Sequence, residues 1–157
     1  YFKQTYSNPY PPAWILVELL PLGVIVNVFY NLKDTQVKKR VALRFGLQLR
    51  VFDSWLTILT LTRNACCHHA RVWNKRNTLM PMNPRRVTHA WITIPANPLR
   101  IYYDLCIIKY FLDTISPNND MSLKLRNLLA AFPLVDPVPM GFPEGWENEE
   151  LWNIESD

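Results

Sequence analysis

Arg63, Asn64 and His68 fall within one short run, Arg63-Asn64-Ala65-Cys66-Cys67-His68-His69-Ala70-Arg71-Val72-Trp73-Asn74. These side-chain types suit phosphodiester chemistry in RNA. Cleavage through the ribose 2′-OH needs a group that moves protons near neutral pH, and an imidazole does that. It also needs a cation on the charged phosphorane, and a guanidinium offers a planar, permanently charged fork. No metal is required, because the nucleophile is internal to the substrate. If the run is helical, Arg63 at 0° puts Asn74 at about 20°, Arg71 at about 80°, Asn64 at about 100° and His68 at about 140°. One face then carries two arginines, two amides and an imidazole. On this reading Asn64 orients the imidazole or donates to the phosphate, and Arg71 adds phosphate binding. His69 falls outside the cluster, at about 240°.

Simpler readings compete with this one. An Arg and a His on a helix usually mean surface charge or a structural hydrogen bond. Cys66-Cys67-His68-His69 invites a zinc reading, but consecutive helical residues point about 100° apart and cannot converge on one ion. The usual zinc spacings are missing, so neither metal nor cofactor is expected. Cys67 reads as a small packing residue rather than a nucleophile. Ser/His/Asp and Gly-rich phosphate-loop signatures are absent.

The elements that must position the run read as helices. A polar, Pro-rich lead-in spans Tyr1 to Pro12. A first helix starts at Pro12 and runs past Leu20, with Pro21 and Gly23 expected to kink or break it. The apolar pattern resumes from Val24 to about Leu32. Asp34 or Thr35 caps a third helix that stops at Gly46. Asp53 is the expected N-cap of the longest helix, Ser54 to about Asn74. Prolines 81, 84, 95 and 98 mark a loop, with a short helix around Arg85 to Ile92. Further helices are expected from Pro98 to about Ile115 and from Met121 to Phe132. No stretch alternates as a strand does. The fold class is therefore all-α, in a single domain over residues 1–157. The Pro-rich, acidic tail 133–157 should dock through Phe142, Trp146 and Trp152.

Charge is distributed unevenly. Lys33 to Arg86 holds twelve Lys or Arg against two acids, whereas Phe132 to the end holds seven acids and no base. A basic middle favours a polyanionic partner such as nucleic acid. The acidic tail is either solvated or folded back on the basic face. The three cysteines, two of them adjacent, make a poor disulfide framework and point to a reducing, cytoplasmic compartment. No apolar stretch reaches the roughly 20 residues a bilayer needs. The sequence begins at Tyr1, which is read as the C-terminal portion of a longer protein.

The motifs resemble the Abi-like family of bacterial abortive-infection proteins, of the AbiD/AbiF type. The carriers are Ser54-Trp55-Leu56, Arg63-Asn64, His68-His69, Arg71 and Trp73-Asn74. Upstream, Pro12-Ala13-Trp14 with Glu18 and Gly23 looks like the family's first signature. Downstream, Met140-Gly141-Phe142-Pro143 and Trp146 to Trp152 look like its tail. That family is placed in the HEPN superfamily, whose R-x(4–6)-H motif marks RNases. The resemblance implies a HEPN-like helical bundle and a homodimer whose two motifs form one composite site. It implies an RNase toxin in phage defence, with RNA as substrate and a small RNA or a protein as antitoxin. Arg63, Asn64 and His68 carry over as catalytic residues. His69, Arg71 and Asn74 carry over as supporting positions, with the adjacent Lys75 and Arg76 as RNA-binding residues. Trp14, Glu18 and Trp73 carry over as structural signature residues, Glu18 being expected to pair with a base on the long helix. Two departures are Cys67, where the family commonly has Ala, and Pro21-Leu22-Gly23, where it often has Ser/Thr-Phe-Gly. A non-catalytic RNA-binding module and a protein-interaction module remain as alternatives.

Overall fold

The computed structural model describes residues 10–153, and every regular element among them is helical. Most of the lead-in, residues 1–9, and the last four residues of the tail lie outside that range. Six α-helices follow in order: α1 Ala13–Leu19, α2 Leu22–Asn31, α3 Thr35–Arg44, α4 Leu49–Cys67, α5 Ile101–Ile115 and α6 Met121–Ala131. Three short 3₁₀ turns complete the tail, at Val138–Met140, Trp146–Asn148 and Glu150–Trp152.

Local chemistry explains most of the boundaries. Pro21 sits at the N-cap of α2, where its missing N–H costs nothing, and it ends α1 at Leu19. Asp34 caps α3 by accepting from the backbone N–H of Gln36 and Val37, at 2.8 and 3.3 Å. Gly46 follows α3 at φ 65°, a conformation that favours glycine. The Thr88 side chain also lies where a Cβ on Gly46 would go.

Helix α4 is the central element, packing against α2, α3 and α5. It begins at Leu49 behind Gln48, not at Ser54 behind Asp53. Leu49, Val51 and Phe52 explain the earlier start, because all three belong to the core and extend the buried stripe by one turn. Asp53 is thus interior, and its main-chain oxygen accepts from the Tyr30 hydroxyl at 2.7 Å, tying α2 to α4. Ser54 and Trp55 fix the long loop. Ser54 Oγ accepts from the Met82 N–H at 2.9 Å, and Trp55 Nε1 donates to the Met82 carbonyl at 3.0 Å. Two adjacent α4 side chains so satisfy both backbone groups of one loop residue.

The core is largely aromatic. Trp55 is fully buried, stacks on Trp91 at 4.6 Å and meets Tyr110 edge-on. Phe142, Trp146 and Trp152 of the tail cluster around Tyr102, and Trp152 Nε1 donates to the Tyr102 hydroxyl at 3.2 Å. The Glu149 carboxylate accepts from the Thr93 N–H, the Thr93 hydroxyl and the Ile94 N–H. Arg126 Nη2 donates to the carbonyls of Glu147 and Trp152. Among the described residues the tail is therefore held by rings and backbone hydrogen bonds rather than by acid–base pairing.

The helix expected around Arg85 to Ile92 is absent. Val87, Trp91 and Ile92 pack onto the core from irregular backbone, and Glu149 takes the next two amides. Tertiary contacts thus override local propensity there.

Candidate RNA-processing site

Arg63 and Asn64 lie in the last turns of α4, and His68 is its C-cap. Arg63 and His68 are exposed, while Asn64 is half-buried. Arg63 Nη1 donates to Asn64 Oδ1 at 3.1 Å. The Asn64 side chain therefore braces the guanidinium rather than the imidazole. Its main-chain oxygen accepts from the His68 N–H at 3.0 Å. Among the described residues no protein group bonds the His68 ring.

The helix does not continue to Asn74. His69 adopts φ 53°, the single positive φ outside glycine among the described residues. Its N–H donates to the Cys66 carbonyl at 3.1 Å, and the Ala70 N–H donates to the Ala65 carbonyl at 2.8 Å. This pair of bonds is a Schellman stop, which satisfies carbonyls that the helix end would leave open. Histidine is among the residues that tolerate this left-handed region. The wheel placement of Arg71 and Asn74 beside Arg63 consequently fails, because both leave the helical period at Cys67.

Each displaced residue has an identifiable position. The Arg71 guanidinium lies over the Trp73 ring at 4.9 Å, and both side chains are exposed. Asn74 is a bracket: Arg100 Nη1 donates to its Oδ1 at 3.2 Å and to its main-chain oxygen at 3.5 Å. His69, Lys75 and Arg76 are exposed. Trp14 is 64% exposed on α1, a helix with no buried residue. Glu18 on the same helix is exposed too, and it makes no ion pair among the described residues. The expected pairing with a base on the long helix is absent, since the helix that bears Glu18 is not drawn into the core.

Asp104 is the polar residue that motif reading missed. It is 2% exposed in the first turn of α5, and its Oδ2 accepts from Thr62 Oγ1 at 2.9 Å and Asn77 Nδ2 at 2.8 Å. Burial pushes its carboxyl above the usual aspartate range, against the opposing pull of the Asn77 and Thr62 bonds. The Asn77 N–H also donates to the Leu99 carbonyl at 2.8 Å. Thr62, next to Arg63, and the loop that follows His68 are thus anchored to one end of α5. The sequence did hold a signal: a single acid inside the apolar run Ile101-Tyr102-Tyr103-Asp104-Leu105-Cys106.

The geometry presents an imidazole and a guanidinium to solvent at one helix end, next to exposed Arg71, Lys75 and Arg76. Such a surface attracts polyanions. Among the described residues, no three His, Cys, Asp or Glu side chains are grouped to hold a metal ion. No helix among them is long and apolar enough to cross a membrane.

Residues 1–74 match the family model described as Abi-like protein. Over these residues the chain is similar to the Abi-like family. The match spans α1 to α4 and the run that ends at Asn74, so it includes every residue of the R-N-x-x-x-H motif. The tail segment Met140 to Trp152 lies outside the Abi-like match. That likeness associates residues 1–74 with abortive infection, a phage-defence response, at the level of the family. No curated protein and no solved structure matches this chain.

Proposed function

We propose that the chain is a metal-independent endoribonuclease of the HEPN type, acting as a toxin in abortive infection. The observation that carries this reading is the placement of Arg63 and His68 at the exposed end of α4, within the Abi-like match. His68 accepts the proton of a ribose 2′-OH, whose oxygen attacks the adjacent phosphorus. Arg63, braced by Asn64, holds the non-bridging oxygens of the phosphorane. The P–O5′ bond then breaks, the leaving oxygen takes a proton, and the products carry a 2′,3′-cyclic phosphate and a 5′-OH.

One chain supplies half of this site. Catalysis by proton transfer in both directions calls for two titrating groups or one that cycles, and no group among the described residues bonds the His68 ring. A homodimer that faces two motifs supplies the second imidazole. The exposed Trp14, Val17 and Leu19 of α1 and Val24 and Val28 of α2 support such an association. The proposed domain is the whole stretch 1–157, with 133–157 as its docked tail, in a bacterial cytoplasm. RNA is the substrate, and a small RNA or a protein holds the toxin inactive.

Arg63→Ala and His68→Ala should each abolish RNA cleavage and cell toxicity while leaving the melting temperature unchanged. Cleavage retained in both variants, or strict dependence on added metal, would overturn the proposal.

A further inference from the structure

The loop between α4 and α5 carries an open groove of about 510 Å³. Arg85, Arg86, His89, Trp91 and Glu150 are among the residues that line it. The loop backbone is irregular but pinned at several points. Ser54 and Trp55 bond Met82, just before the groove. Trp91 stacks on Trp55, and His89 meets Tyr110 edge-on at 5.6 Å. The Thr88 side chain fills the space that a Cβ on Gly46 would take, which brings the α3–α4 turn to the loop. Exposed Arg44 and Arg50 flank that turn. Val87, Trp91 and Ile92 pack against the core, whereas Arg85, Arg86 and His89 are left exposed. Among the described residues neither arginine makes an ion pair, with Glu150 or with any other acid.

We propose that this groove is a second RNA-binding site, apart from the motif, which holds the phosphate backbone of single-stranded RNA through Arg85 and Arg86. A guanidinium fork matches phosphate oxygens. Unpaired cations in an open groove track a strand without reading its bases. A protein partner fits this surface less well. Protein interfaces centre on apolar residues, and the apolar side chains of this loop are spent on the core. The loop is tied to α4 at Ser54 and Trp55, about 21 Å along the helix from His68. Phosphates held in the groove are therefore not the one being cut. The groove lies beyond residue 74, outside the Abi-like match. It deepens the nuclease reading and rests on it, because it grips a long substrate without joining in the cleavage step.

The test measures binding of a labelled single-stranded RNA of about 12 nucleotides to the full chain carrying His68→Ala, by fluorescence anisotropy over a series of salt concentrations. Adding Arg85→Ala with Arg86→Ala should weaken binding about tenfold. The slope of log affinity against log salt should become shallower by about 1.4, for two phosphate contacts at about 0.7 each. Lys33→Ala with Lys39→Ala removes the same charge from exposed positions before and within α3, and it should leave both quantities nearly unchanged. Arg86→Gln alone should give about half of the slope change, which keeps the test open if the double variant fails to fold. With His68 intact, the loop pair should raise KM for a long RNA more than for a dinucleotide, whose one phosphodiester occupies the motif. Binding and slope untouched by the loop variants, equal losses from the two pairs, or an equal rise in KM for both substrates overturns the inference. RNA cutting together with any of those results removes the groove and leaves the nuclease reading. Binding lost in the loop pair of a chain that never cuts RNA supports the groove and removes the nuclease reading.

Discussion

Two regions of the molecule differ in how far they are satisfied by their own chain. In the aromatic core Trp55, Trp91 and Tyr110 meet, Trp152 packs on Tyr102, and the Glu149 carboxylate accepts from loop amides. In the motif region α4 stops at Cys67 and presents Arg63, His68 and His69 to solvent, and α1 has no buried residue. The first region reads as architecture that is complete in one chain. Under the proposed function the second is a half-site that RNA and a second copy would complete. Stability should therefore depend on the aromatic core and activity on the motif region, with little overlap.

Substitutions that blur that separation would break the comparison. The largest effect on stability should come from Trp55→Ala or Trp152→Ala, about 3–5 kcal/mol each, read from denaturant unfolding. A loss below about 1 kcal/mol would mean that the aromatic core does not carry the fold. Glu149→Ala should cost about 1–3 kcal/mol, because it leaves the Thr93 and Ile94 amides without acceptors. Limited proteolysis should then cut the tail before the helices.

Asp104 joins the two regions and gives a pH signature. Its carboxyl is raised by burial, so the folded state holds the proton more firmly than the unfolded state does. Its contribution to stability is fully present below the ordinary aspartate value of 3.8 and is lost as pH rises through the raised value. Melting curves of the unmodified chain and Asp104→Asn should therefore diverge as pH climbs from 3.8 toward that raised value, with the variant gaining relative stability. Parallel curves across that window would show that the buried carboxyl does not titrate abnormally. The smallest effect should come from Arg63→Ala and His68→Ala, which alter exposed side chains and should move stability by no more than about 0.5 kcal/mol.

Much of the fold was legible because its signals are local. Asp34, Pro21 and Gly46 each act through backbone chemistry that a short window contains. The ends of α4 were not. Its start depends on the burial of Leu49, Val51 and Phe52 against other helices, which a capping search does not weigh. Its stop is a Schellman turn on a histidine, with no glycine or proline to announce it. That error carried into the site: Arg63, Asn64 and His68, expected on one face inside a longer helix, lie at its end, and Arg71 and Asn74 do not share their wheel. Asn74 proved to be a bracket for Arg100, and Asp104 escaped notice because its partners, Thr62 and Asn77, are far from it in sequence.

The most direct measurement is cleavage of an end-labelled RNA by the full chain in excess chelator, beside His68→Ala, with the product ends identified. The account predicts metal-free cleavage with 2′,3′-cyclic phosphate ends by the unmodified chain and none by the variant. Cleavage that stops on chelation, or that proceeds equally in His68→Ala, would contradict it.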